Sequence, residues 1–357
     1  MDNKISQLKV QDIDHLGIVA GIIDEIALVE QIDRLLGTHN QEHLSSGQLI
    51  KAMILNGLGF VSAPLYLFQE FFEGKATEHL IAQGVKPEHL NDDKLGRVLD
   101  KLFAADLTKV FVSVAMKAAS RYGLKLQSSS SSVHLDSSSF YLHGNYYDQT
   151  EHEEDPTAAI SITHGYSREQ RPDLKQFIID LMASGEGDVP LFCRIADGNE
   201  ADKAVFAQLI QNFRSQVDLD VLFVADSALY SADNLKQMSD LKWLTRVPLT
   251  LTEAKRVLSE IEEDAFEEST LRGYRIAEVK SSYAGIPQRW LIVHSEERQQ
   301  AANEQMDRRL LKSEKQLQKQ LKKLKKEDFE CEADALRAAS TFAKELRYHK
   351  LTQSFAR

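Results

Sequence analysis

Apolar residues recur at helical spacing through residues 1–125 and change period after that, which divides the chain by texture. Residues 16–36 form one long apolar stretch at mixed helical spacing. Ser45 or Ser46 can cap a helix running to about Phe60, and Pro64 breaks it before a short aromatic helix over 65–72. Pro87 marks a turn, and Asn91-Asp92-Asp93 offers a cap for a helix over 94–103. Another helix spans 107–122, with Val110, Val114, Met116 and Ala119 on or near one face. Residues 1–127 therefore read as a helical N-terminal domain, either a plain bundle or one holding a DNA-binding helix-turn-helix.

Gln127 is followed by five consecutive serines, a composition that favours a solvated linker and otherwise fits a tight loop. Strand-like runs come next, over 133–142, 158–164, 177–182 and 191–196, with turn signals at Gly165 and at Gly185-Glu186-Gly187-Asp188. A helix over 201–217 places Val205, Leu209, Ile210 and Phe213 at helical spacing. Residues 221–225 are an unbroken apolar run, the signature of a strand buried on both faces. A short helix from Ala232 and a strand over 243–247 complete a mixed-sheet α/β core over 128–247.

After Pro248 the texture changes again. An acidic helix over 253–264 and strands over 271–279 and 289–294 precede a charged helix over 295–326. Met306, Leu310, Leu317, Leu321 and Leu324 have coiled-coil-like spacing there. A second helix over 332–346 turns Leu336, Ala339, Phe342, Ala343 and Leu346 inward, so residues 248–357 read as an α+β segment with a long helical hairpin.

Composition narrows the field. The two cysteines, Cys193 and Cys331, leave room for at most one disulfide and fit a reducing compartment. The N-terminus lacks a charged-then-apolar signal pattern, and no apolar run is long enough for a membrane span. A net charge of −11 argues against a chain coated in nucleic-acid-binding surface, yet residues 307–326 carry nine Lys/Arg against two acids. Acidic clusters lie at 148–155 and 260–268. The basic helix suits DNA phosphates or a solvated face beside a leucine seam. Arg168, Arg171, Lys175 and Arg246 are scattered candidates for backbone contact. No GxGxxG, Walker A, CxxC or Gly-x-Ser-x-Gly pattern occurs, which removes nucleotide-fold, zinc-finger and serine-hydrolase readings.

Two aspartates carry the candidate chemistry. Asp226 ends the 221–225 run, and an acid there needs a partner because a buried unpaired charge is expensive. Asp136 lies in the first predicted strand, where alternation puts His134, Asp136 and Ser138 on one face. A strand with an Asp, two antiparallel partners, a helix and a strand ending in Asp is the order of an RNase H-like sheet. Its first and fourth strands are neighbours, so Asp136 and Asp226 would converge. Paired carboxylates suit Mg²⁺, and two such ions can activate an attacking oxygen and stabilise a leaving one. A lone aspartate at a strand end is more often a cap. His134 and His143 are more often packing residues, His39 and His43 lack HExxH chemistry, and His152 with Glu153, Glu154 and Asp155 reads as an acidic loop.

The blocks HLDSSSFYLHG at 134–144 and VADSALYSADNL at 224–235 resemble the catalytic blocks of DDE transposases of bacterial insertion sequences. Within them the chain is most similar to the IS-four-like superfamily, IS-sixteen-thirty-four group, and NDDKLGRVLDKLF at 91–103 and RIADGNEAD at 194–202 share that likeness. The resemblance implies an RNase H-like core with two Mg²⁺ ions (Mn²⁺ as a substitute) held by Asp136 and Asp226 as catalytic metal ligands. It also implies cleavage and strand transfer at terminal inverted repeats of double-stranded DNA, by a homo-oligomer at the cytoplasmic nucleoid. Members of the family carry a third acid, a Glu in a Tyr-x-x-Arg-x-x-x-Glu-like context, which this sequence lacks. The expectation is a chain truncated before the last catalytic helix, impaired in activity. The alternative is a non-catalytic DNA-binding or oligomerising remnant.

Overall fold

Among the described residues, the apolar positions of the N-terminal segment gather onto seven α-helices: α1 (Leu16–Glu25), α2 (Leu28–Leu36), α3 (Ser46–Gly57), α4 (Phe68–Phe71), α5 (Thr77–Leu80), α6 (Asp92–Ala104) and α7 (Leu107–Arg121). The protein is seen in a computed structural model that describes residues 10–39, 42–128, 130–144, 146, 159–167 and 170–352. The caps act as the sequence suggests. Ser45 and Gln48 form a reciprocal capping box at α3, and Asn91 accepts the Lys94 N–H at α6. The single stretch expected over 16–36 is instead two helices, because Ala27 between them takes a left-handed φ of 55°. Leu16, Leu55, Phe68, Phe72, Leu90 and Leu95 form the centre of this helical core.

Helix α7 joins the helices to the sheet, since Val110 belongs to the helical core while Val112 and Ala119 belong to the next one. The end of the serine run after it is tied to the fold rather than solvated. Leu126 is buried on one side of it, Ser131 Oγ donates to the Lys125 carbonyl, and Ser132 already begins β1 (Ser132–Leu142). Then follow β2 (Lys175–Ser184), β3 (Pro190–Ala196), α8 (Asp202–Gln216), β4 (Leu222–Ala225), α9 (Ala232–Gln237) and β5 (Trp243–Thr245).

The five strands make a mixed sheet in the order β3-β2-β1-β4-β5. The pairs β1–β2 and β2–β3 are antiparallel, and the pairs β1–β4 and β4–β5 are parallel. One face packs Val133, Leu135, Met182, Phe192 and Phe223 together with Phe206, Ile210 and Phe213 of α8. The other face is less covered, so β4 is not buried on both sides. Phe223 and Ala225 are buried, whereas Leu222 and Val224 are only half-buried.

The strand expected over 158–164 is reduced to one bridge, Thr163 with Gln176, and residue 158 lies outside the described residues. Close backbone packing accounts for this. A Cβ on Gly165 would lie 1.9 Å from the Gly198 carbonyl oxygen, and one on Gly198 would lie 2.0 Å from that of Gln176. The segment meets β2 only at that bridge and packs against the 197–198 turn at contact distance.

Residues 1–251 form one compact unit and 252–357 a second. The second unit holds α10 (Thr252–Glu260), β6 (Glu267–Glu268), β7 (Tyr274–Tyr283), β8 (Ile286–Ser295), α11 (Glu296–Leu324) and α12 (Glu332–Glu345). Strands β7 and β8 run longer than their apolar patterns and meet at Ala284-Gly285, whose φ values of 55° and 80° suit a two-residue hairpin turn. Trp290 is buried on β8. Leu310, Leu317, Leu321 and Leu324 are half-buried along α11, but Met306 is exposed, and Leu336 on α12 is exposed beside buried Phe342. The half-buried row on α11 is therefore shorter than the spacing suggests.

One charge sits wholly inside the helical core. Lys51 is 1% exposed, and its ammonium lies 2.5 Å from Asp24 Oδ1. Removing the partner would leave that charge unpaired. Asp24→Ala is expected to lower the unfolding free energy by about 2–3 kcal/mol in denaturant titration, discounted from the fully buried case because Asp24 itself is exposed. Adding Lys51→Met should recover most of the loss. Unchanged stability in the single variant would refute the assignment.

Candidate active site

The parallel pairing of β1 with β4 sets Leu135 opposite Ala225, and both are buried. One residue further along each chain stand Asp136 and Asp226, both exposed. Residues in register on neighbouring parallel strands project to the same face, with the chains about 4.8 Å apart. Asp226 lies just past the end of β4 but keeps extended backbone, φ −73° and ψ −171°, so it continues the alternation. The two predicted acids thus come together at one edge of the sheet.

Local bonds fix each of them. Asp226 Oδ1 accepts the Ala228 N–H at 2.7 Å, capping the 3-10 turn Ser227–Leu229, and the Asp226 carbonyl accepts the Thr245 hydroxyl from β5. Asp226 therefore serves as the cap that a lone aspartate would be and also as half of an acidic pair. Asp136 Oδ1 accepts the Ser137 N–H at 2.9 Å. His134 and Ser138 share the exposed face of β1 with Asp136, and His134 Nε2 lies 3.0 Å from Ser132 Oγ.

The donor set suits a hard divalent cation. A carboxylate offers four lone-pair sites, so one amide bond to each aspartate leaves oxygen capacity for a metal. Among the described residues no group of three or more His, Cys, Asp or Glu forms a metal-holding cluster, so the pair stands there without a third side chain of that kind. His152–Asp155 and Arg168 lie outside the described residues. Arg171 is bound to Asp173, while Arg246 is exposed beyond β5.

A polar network on the opposite side of the sheet is one that the motifs above do not single out. Asp180 of β2 is 1% exposed, pairs with Ser137 across the β1–β2 register, and accepts the Ser137 hydroxyl at 2.5 Å. Arg194 of β3 donates from Nε to Asp180 Oδ2 at 3.0 Å and from Nη2 to Glu200. Burial pushes the Glu200 carboxyl up against the opposing pull of Arg194. Buried Gln176 donates to the Gly198 carbonyl at 2.6 Å, and Ser161 N–H donates to Asp197. The loop 194–202 is thereby tied to β2, and β1 is tied at the residue next to Asp136. The sequence does carry a signal for it, because Asp180 interrupts the apolar run FIIDLM and an acid there requires a cation.

Arg194→Ala would leave Asp180 buried with a hydroxyl in place of a guanidinium. The expected loss is about 3 kcal/mol of unfolding free energy, partly restored by Arg194→Lys. Thermal and urea unfolding measure it, and a variant as stable as the parent would show that Asp180 does not depend on Arg194.

Comparison with known proteins follows the same division of the chain. Residues 8–116 match a domain of unknown function, DUF4277, and residues 128–334 match the transposase DDE domain. No curated protein matches. Among solved structures, a piggyBac transposase synaptic complex with hairpin DNA is similar at 8% identity and a TM-score of 0.32, covering 82% of this chain and 54% of that one. This chain thus spans about half the length of that relative. A Mos1 transposase paired-end complex with the left transposon end gives 11% identity and a TM-score of 0.21, covering 58% and 60%. The DDE match includes both aspartates and more than half of the residues, and the chain belongs to the DDE transposase family.

Proposed function

We propose that the chain is the transposase of a bacterial insertion sequence, of the IS-four-like superfamily and its IS-sixteen-thirty-four group, built on an RNase H-like core. Its reaction is cleavage and strand transfer at terminal inverted repeats of duplex DNA. The observation that carries this reading is the side-by-side placement of Asp136 and Asp226 within the matched domain. Residues 1–127 would recognise DNA, residues 128–247 would carry the chemistry, and residues 248–357 would be an insertion.

In this reading Asp136 and Asp226 hold Mg²⁺, or Mn²⁺ in its place, as oxygen ligands. A bound ion would supply Lewis-acid stabilisation of the charge that builds on phosphate oxygens and a more nucleophilic oxygen at neutral pH. The chain's own residues do the positioning. The Ala228 amide and the Thr245 hydroxyl hold the Asp226 turn, and the Ser137–Asp180–Arg194 network holds β1 next to Asp136. In the first step the oxygen of water bonds to phosphorus as the bond to the leaving 3′-oxygen breaks. In the second, the freed 3′-hydroxyl displaces a 3′-oxygen of the target strand.

Incubation with terminal-repeat duplex and Mg²⁺ tests the proposal. Weak nicking is expected from the parent chain, which carries two of the family's three acids, and Asp136→Asn or Asp226→Asn should reduce it to background without weakening DNA binding. Undiminished nicking by Asp136→Asn would overturn the site assignment. DNA binding without nicking by the parent would favour the non-catalytic alternative.

A further inference from the structure

Helix α11 carries a one-sided stripe of positive charge. Arg308, Lys312, Lys315, Lys319 and Lys322 recur at three- and four-residue steps, Lys323 follows Lys322, and at 3.6 residues per turn all six fall within an arc of about 100°. All six are exposed, whereas Leu310, Leu317, Leu321 and Leu324 are half-buried on the opposite side. No acid interrupts the stripe between Arg308 and Lys323, since Glu314 falls well outside that arc. The leucine seam fixes which way the helix turns, so the basic side faces solvent.

An ordinary solvated helix face mixes its signs. In α10, Arg256 is bracketed by Glu253 and Glu260 at 2.7 and 2.5 Å. Along the stripe, among the described residues, Arg308 pairs with Glu304 at 3.5 Å and no ion pair is formed by the five lysines. Like charges three and four residues apart repel each other along a helix, and among the described residues only the Arg308–Glu304 pair offsets that repulsion. That repulsion is available to be relieved by a polyanion. This concentration of positive charge also stands out in a chain whose net charge is −11.

We infer that this face of α11 is a sequence-independent docking surface for the phosphate backbone of duplex DNA. From Arg308 to Lys323 the helix rises about 22 Å, and one DNA strand presents a phosphate about every 3.4 Å of axis, roughly six over that length. Six cations thus meet about six phosphates. Lysine and arginine on flexible stems can reach phosphates without reading bases, so this surface supplies grip and leaves choice of sequence to other parts of the chain. The inference rests on the transposase reading for its partner and on α11 alone for its surface.

The test is the salt dependence of binding to a 30-base-pair duplex of arbitrary sequence, using the full chain with no divalent metal. The quadruple variant Lys312→Gln, Lys315→Gln, Lys319→Gln, Lys322→Gln keeps comparable helix propensity, checked by circular dichroism. Its slope of log affinity against log salt should be shallower by about 3–4, at about 0.9 for each phosphate no longer neutralised. Affinity at 0.1 M salt should fall by on the order of 10³–10⁴-fold. Replacing the same four lysines with arginine should preserve the slope. If the parent binds duplex but the glutamine variant has the same slope, the surface assignment fails and the transposase reading stands. A parent with no duplex affinity removes both. A glutamine variant that changes self-association but not the slope overturns the inference in favour of an acidic surface on a second copy.

Discussion

The parallel, in-register pairing of β1 with β4 is the constraint on which the site depends. Val133 and Leu135 on one strand, with Phe223 and Ala225 on the other, are buried in the same core. Full burial of a large apolar side chain contributes about 1.5–3 kcal/mol, so these positions strongly specify which residues face inward. A slip of one residue would turn them to the open face and carry Asp136 into the core beneath α8. Hydrophobic burial thereby determines the place of two acids that take no part in it.

Alternation along adjoining strands gives one chemical group two fates. Asp136 and Asp226 stand on the exposed face, held by single amide bonds that leave their carboxylates available. Asp180 is a strand away on the covered face, where Ser137 and Arg194 occupy both of its oxygens. The first two can offer oxygens to a cation. The third ties β1, β2 and β3 together at the level of the site and anchors the loop that carries Glu200. The buried acid and the two solvent-facing acids are separated here by direction alone.

Much of this is legible in the sequence because the governing patterns are local. The apolar run ending at Asp226 and the alternation about Asp136 identify two strands, and the motif resemblance points to the family that the domain match shows. What escapes depends on contacts distant in sequence. Ala27 breaks a helix that its apolar spacing would continue, and the Gly165–Gly198 crossing limits a predicted strand to one bridge. Met306 shares the spacing of the α11 leucines, yet the seam does not reach it. Asp180 is recoverable, since an acid within an apolar strand demands a partner wherever it lies. That partner, Arg194, is visible in the sequence only as part of a loop motif.

The central claim is that Asp136 and Asp226 share one cation site. Mn²⁺ affinity measured by electron paramagnetic resonance for the parent, Asp136→Asn, Asp226→Asn and the double variant tests it most directly. Two ligands of a common ion should be strongly non-additive, so the double variant should lose little more affinity than either single one. Independent, additive losses, or single variants that bind Mn²⁺ as the parent does, would contradict it.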